Sequence, residues 1–165
     1  MTAEKGIRYR WIDGVEVLRR YEPGGYHPVM VNDLLHDRYR VVDKLGYGSY
    51  STVWLCHDVQ LERYVAVKVG TSSRHAPNRE PATLRELSSS RSSHPANPAI
   101  DGSKAILRIL DDFTVQGPNG SHPCYAMVPA QGSLGHAAEN CIFPIRVARA
   151  LTAKLAMAVA FVHSQ

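Results

Sequence analysis

The sequence predicts an α+β fold, an antiparallel sheet with one helix packed on it and a long helix after it. Three observations carry that expectation. Tyr39 to Val69 holds three runs rich in β-branched and aromatic residues, divided by turn residues. Arg79 to Leu87 reads as a short helix with Leu84 and Leu87 on one face. Val147, Leu151, Leu155, Val159 and Val162 recur at steps of four and three, one continuous apolar face of a longer helix.

Each element has its own signal. Residues 1–38 are polar and turn-rich, and Glu22-Pro23-Gly24-Gly25 is a turn. Tyr21, Tyr26, Val29 and Leu34-Leu35 give this stretch apolar anchors, so it reads as an ordered extension laid on a core. The strands are expected at Tyr39–Leu45, Thr52–His57 and Tyr64–Val69, with a glycine-rich turn at Gly46–Tyr50 and a connection at Asp58–Arg63. Pro81 belongs in the first turn of its helix, where its missing N–H costs nothing. Ser88–Gly102 reads as loop, Ile106–Phe113 as a strand, Gln116–Gly120 as a turn and Tyr125–Val128 as a last short strand.

Composition narrows the function classes. A chain of 165 residues with 44% hydrophobic and 21% charged residues can bury a core, which excludes disorder and coiled coil. The net charge of +4 is spread, with Arg19-Arg20 the one adjacent basic pair, so no nucleic-acid stripe is expected. Cys56, Cys124 and Cys141 are odd in number and lack zinc-ligand spacing. Reduced thiols inside the cell are the expectation. The first six residues lack an apolar signal region, and the stretch 148–162 is broken by Arg149 and Lys154, so no membrane span is expected.

The chemistry concentrates at one place. Gly46-x-Gly48-x-x-Ser51 is a GxGxxG pattern with its third glycine replaced. A hairpin turn needing positive φ would explain two glycines equally well. A strand follows, however, so the pattern can form a flap whose backbone N–H groups close over phosphates. Val53 would offer an apolar surface to a flat ring. Lys68 lies in Val65-Ala66-Val67-Lys68-Val69. It is either an edge-strand lysine with its head in water or a point charge beneath the flap that contacts phosphates. In the second case it needs a carboxylate, and Glu80 and Glu86 are the candidates.

Leu45 to Leu55 together with Val65-Ala66-Val67-Lys68 resembles the N-terminal lobe of a eukaryotic protein kinase. Tyr21-Glu22-Pro23-Gly24-Gly25-Tyr26-His27-Pro28-Val29, then Arg38-Tyr39 and Ser51-Thr52-Val53-Trp54, is similar to the serine/arginine-rich protein kinases, particularly the fungal ones. In that family the third loop glycine is often serine. The resemblance implies a kinase-like N-lobe followed by the first helix of a C-lobe. It divides the chain into an extension (1–38), the lobe (39–128), and the hinge with the start of a C-lobe (129–165). It also implies ATP contacts at Leu45, Gly46, Tyr47, Gly48, Ser49, Tyr50, Ser51, Val53, Ala66, Lys68, Met127 as gatekeeper and Ala130 at the hinge, with Glu80 as the partner of Lys68.

The same resemblance implies serine/arginine-rich protein substrates, a place in the cytoplasm and/or nucleus, and Mg²⁺ beside ATP. The catalytic loop and the Asp-Phe-Gly metal ligand do not occur in these 165 residues. The expectation is therefore an ATP-binding lobe cut before its catalytic loop, holding no metal and transferring no phosphoryl group. The alternative is a non-enzymatic scaffold or decoy derived from a kinase. Pro81 should set Glu80 at the helix start, and Pro129 removes one hinge donor. Ser88-Ser89-Ser90-Arg91-Ser92-Ser93 reads as a linker. An uncovered apolar face on the last helix leaves room for self-association.

Overall fold

The computed structural model describes residues 15–72, 79–89, 101–135, 137 and 142–165. Of the features read from the sequence, the first six residues, Cys141, and Ser90 to Ser93 lie outside the described residues. The strands are β1 (Leu34–Leu35), β2 (Tyr39–Gly48), β3 (Ser51–Asp58), β4 (Arg63–Gly70), β5 (Ile109–Gly117) and β6 (Gly120–Met127). The helices are α1 (Glu80–Ser89) and α2 (Ile145–His163), with 3-10 turns at Leu18–Arg20 and Gly102–Ala105. The strands form one sheet in the order β1-β2-β3-β4-β6-β5, in which β1–β2, β2–β3 and β3–β4 pair antiparallel. This is the expected α+β organisation.

The chain forms two compact units. One comprises Met1–Pro77 and Phe113–Cys124, the other Asn78–Asp112 and Tyr125–Gln165. In the first, the alternation of a strand explains the core. Thr52, Trp54 and Cys56 of β3 face Val69, Val67 and Val65 of β4, and all six are buried. Each such valine contributes roughly 1.5–3 kcal/mol by leaving water. Tyr26, Val29 and Leu35 are buried as well, so the extension is anchored as its apolar residues suggested. Its turn depends on glycine: Gly24 has φ +87°, and a Cβ on Gly25 would lie 1.9 Å from the Arg20 carbonyl oxygen.

Asp58 closes β3 and is fully buried. Arg38 grips it twice, Nε to Oδ1 at 2.8 Å and a terminal nitrogen to Oδ2 at 2.7 Å. The backbone N–H groups of Gln60 and Leu61 donate to the same carboxylate. The Arg38 bonds, ahead of the backbone N–H groups and against the opposing effect of burial, hold its pKa below the usual carboxylate value. The β3–β4 turn is therefore built on a paired, hydrogen-bonded charge.

In the second unit, Arg79 accepts the first helical bond from Thr83 N–H at 3.0 Å. Glu80 and Pro81 thus fill the first turn of α1, where proline removes no helical bond. Pro81, Leu84 and Leu87 make its half-buried stripe. Residues 102–105 pack on α2 so tightly that a Cβ on Gly102 would lie 2.2 Å from the Met157 carbonyl oxygen.

Several boundaries differ from expectation. The extended backbone of β2 runs through Gly46 to Gly48, leaving only Ser49-Tyr50 as the turn. Ser88 and Ser89 continue α1. The strand expected at 106–113 lies at Ile109–Gly117, so Asp111-Asp112 sits inside β5 and not at its end, and Asp112 pairs with Arg85 of α1. The last strand starts at Gly120, five residues early. In α2 the apolar row is largely uncovered, as expected, with Leu151 half-buried. Val147, Leu155, Val159 and Val162 face outward, while Phe161 is buried. Periodicity fixes a helix but not which flank its neighbour covers, and here the 102–105 turn selects the Met157–Phe161 flank.

Candidate functional site

The β2–β3 hairpin and β4 bring the glycine pattern and the lysine together. Gly46 is the Cα partner of Val53, and Val53 is the partner of Lys68. These three form a single row across three strands. Leu55 opposite Ala66 makes the neighbouring row. Directly opposed residues share a face of a sheet, so Gly46, Val53, Leu55, Ala66 and Lys68 line one face. Apart from buried Ala66, this face is half-open, in contrast with the closed valine face behind it.

Two alternatives open at the level of sequence are closed by the geometry. First, β4 lies between β3 and β6, so Lys68 is not on an edge strand. Second, neither Gly46 nor Gly48 has a positive φ, so the hairpin does not need them for its backbone. Nor does packing, since a Cβ at either position would meet nothing within 4 Å. The two glycines leave open space beside an apolar side chain and an ammonium group, for Val53 and Lys68 lie in the same row as Gly46.

The remaining flap residues sit at the hairpin's end. Leu45, Tyr47 and Tyr50 are exposed, Tyr50 most of all, while Ser51 is buried at the start of β3. Ser49 and Tyr50 form the turn itself, and Thr71 N–H donates to the Tyr50 carbonyl at 2.9 Å. At the hairpin's base Lys44 pairs with buried Glu16 and lies 5.2 Å from the Trp54 ring centre. Burial opposes ionisation of Glu16, but Lys44 and the Tyr21 hydroxyl outweigh it and hold its carboxyl below the usual value. Sequence inspection passed over Glu16, for a lone glutamate in a polar extension carries no pattern.

In the second unit, Glu80 is exposed at the first position of α1, and it accepts a hydrogen bond from the buried Tyr125 of β6. Burial first, then Glu80, drives the Tyr125 phenol well above its ordinary pKa. Met127 is the half-buried last residue of β6, and Ala130 is exposed in the extended segment that follows.

A separate cleft of about 830 Å³ opens in the first unit, lined by Arg20, Gly24, Ser72, Asn119 and Ser121 among others. Among the described residues, no group of three His, Cys, Asp or Glu stands together as a metal site. No helix among them is long and apolar enough to cross a membrane. Cys56 and Cys124 are free and buried, and burial pushes both thiols up to about 12.

No protein-family model matches the chain. Its sequence is 42% identical to SRSF protein kinase 3 of Homo sapiens over 107 residues, 65% of this chain and 18% of that protein. It is 33% identical over 153 residues to a serine/threonine protein kinase of Aspergillus fumigatus, covering 91% of this chain and 37% of the relative. Among solved structures, the crystal structure of a kinase domain superposes with a TM-score of 0.67 at 18% identity, covering 84% of this chain and 39% of that one. The chain thus spans roughly a fifth to two fifths of these proteins.

Proposed function

We propose that this chain, kinase-like in fold and related in sequence to SRSF protein kinase 3 and fungal serine/threonine kinases, is the ATP-binding lobe of a serine/threonine protein kinase of the serine/arginine-rich type. The observation that carries the reading is the row Gly46, Val53, Lys68 on a half-open face, with glycines at 46 and 48 that neither backbone nor packing requires. These residues fit a nucleotide. Val53 and Ala66 offer apolar surface to a purine, the flap offers backbone N–H groups close to phosphates, and Lys68 offers a compact positive charge. Leu45, Tyr47, Ser49, Tyr50 and Ser51 complete the flap. Glu80, Met127 and Ala130 are the contacts proposed in the second unit, Ala130 through its backbone N–H.

Bound ATP would supply the phosphoryl group, and this chain's residues bind and orient it. A magnesium site does not fit the described residues, which offer no carboxylate cluster, and no step is assigned to one. Positioning and charge neutralisation, including a carboxylate that orients the attacking hydroxyl, dominate phosphoryl transfer. The 165 residues are therefore proposed to bind ATP without transferring phosphate, as a lobe of 39–128 with an extension before it and a hinge after it. Protein substrates rich in serine and arginine, and a cytoplasmic or nuclear setting, belong to the same proposal. The buried free thiols of Cys56 and Cys124 are in keeping with a reducing compartment.

The test is thermal unfolding of the purified chain with and without ATP. At tenfold excess over Kd, binding adds about 1.4 kcal/mol, a rise of roughly 3–5 °C for this size. Lys68→Met should abolish the rise. No rise at millimolar ATP would favour the non-enzymatic scaffold instead.

A further inference from the structure

We infer that Tyr26, in the segment before the sheet, is a positioning residue that holds the glycine hairpin over the nucleotide through the Gly48 carbonyl. This rests on the ATP reading of that hairpin. The Tyr26 hydroxyl donates to the Gly48 carbonyl oxygen at 2.7 Å, across 22 positions of sequence. Gly48 is exposed at the far end of β2, while Tyr26 is 2% exposed. A buried, rigid side chain thus reaches the exposed tip.

The ring of Tyr26 is itself fixed. The Arg20 guanidinium lies 4.9 Å from its centre and donates to its oxygen at 3.3 Å, which leaves the phenolic proton for Gly48. Tyr21 packs at a tilt with ring centres 5.5 Å apart. The backbone of Tyr26 is tied at both ends: its N–H donates to the Arg20 carbonyl at 2.9 Å, and its carbonyl accepts from the Asn119 side chain at 2.6 Å. Asn119 is held in turn, its own carbonyl accepting from Gly24 N–H at 2.8 Å and from the Ser72 hydroxyl at 2.5 Å. The turn's other side is pinned independently by Thr71 N–H on the Tyr50 carbonyl.

The physical consequence is preorganisation. A glycine-bearing tip has more freedom to lose than any other backbone, and ordering it on binding would weaken affinity for whatever it covers. Tyr26 removes part of that freedom before the ligand arrives. The effect should appear for the phosphates that the tip covers and not for the base and sugar alone.

Tyr26→Phe removes the hydroxyl and keeps the ring, so the fold is retained. Calorimetric titration of the full chain with ATP and, separately, with adenosine reads the effect. ATP affinity should fall roughly fivefold, the worth of one net hydrogen bond, with adenosine affinity unchanged. Amide hydrogen exchange at residues 47–51 should quicken in the variant. Equal ATP affinity and equal exchange in the two proteins would overturn the inference, as would an equal loss for ATP and adenosine. If the wild type binds no ATP, the nucleotide reading falls by itself, and the exchange comparison alone then decides whether Tyr26 holds the tip.

Discussion

Asp58 shows how a single carboxylate can organise a turn. It is fully buried, gripped twice by Arg38 and twice by backbone N–H groups. Removing one partner of a buried pair leaves the other charge short of its solvent and its mate, which costs about 3 kcal/mol. Asp58→Ala should lower unfolding free energy by about that much in urea titrations at pH 7. Because the folded-state pKa lies below the ordinary carboxylate value, this contribution is present above about pH 4 and is lost as pH falls through the folded value. The gap between wild type and Asp58→Ala should therefore narrow towards pH 3; a gap that stays constant with pH would contradict the assignment. None of this was legible beforehand. Asp58 and Arg38 are 20 positions apart in sequence, and nothing in a linear pattern pairs one charge with another across a strand. Tyr26 was legible as an apolar anchor, but not as a donor to Gly48, for the same reason.

At the scale of elements, the central strands were legible because their signals are local. β-branched runs at 39–45, 52–57 and 64–69 all lie within observed strands. Glycine misled at the boundary: it weakens strand propensity, so Gly46 and Gly48 suggested a loop where the structure has extended backbone paired to Val53 and Ser51. The last helix was legible in extent and in its uncovered row, where Val147, Leu155 and Val159 are exposed, but the flank that Phe161 buries was not. The hairpin itself yields a sharp expectation. A Cβ at Gly48 meets nothing within 4 Å and φ there is not positive. Gly48→Val should therefore leave the unfolding midpoint within about 2 °C, since an exposed strand position without strain changes stability by roughly 0.5 kcal/mol or less. Nucleotide affinity should fall tenfold or more, because the new side chain fills the space left above the face. A large loss of stability with intact ATP affinity would mean that the glycine serves folding and not the ligand.

For the whole molecule, the glycine flap and Lys68 carried the family resemblance in the sequence, and register shows how they come together. The sequence places them 20 residues apart, and periodicity alone left an edge lysine and a plain hairpin turn standing as alternatives. A six-stranded sheet with β4 inside it, and with Gly46, Val53 and Lys68 in one row, removes both. The extension, the hairpin and the β5–β6 turn are joined by Tyr26 and Asn119 into one support for that row. The central claim is that the half-open face under the flap takes ATP. Backbone amide chemical shifts of the full chain, followed by NMR as ATP is added, test it most directly. The expected changes fall on Gly46, Gly48, Val53, Ala66 and Lys68. Changes confined to the cleft around Arg20, Ser72 and Asn119, or none at millimolar ATP, would contradict it.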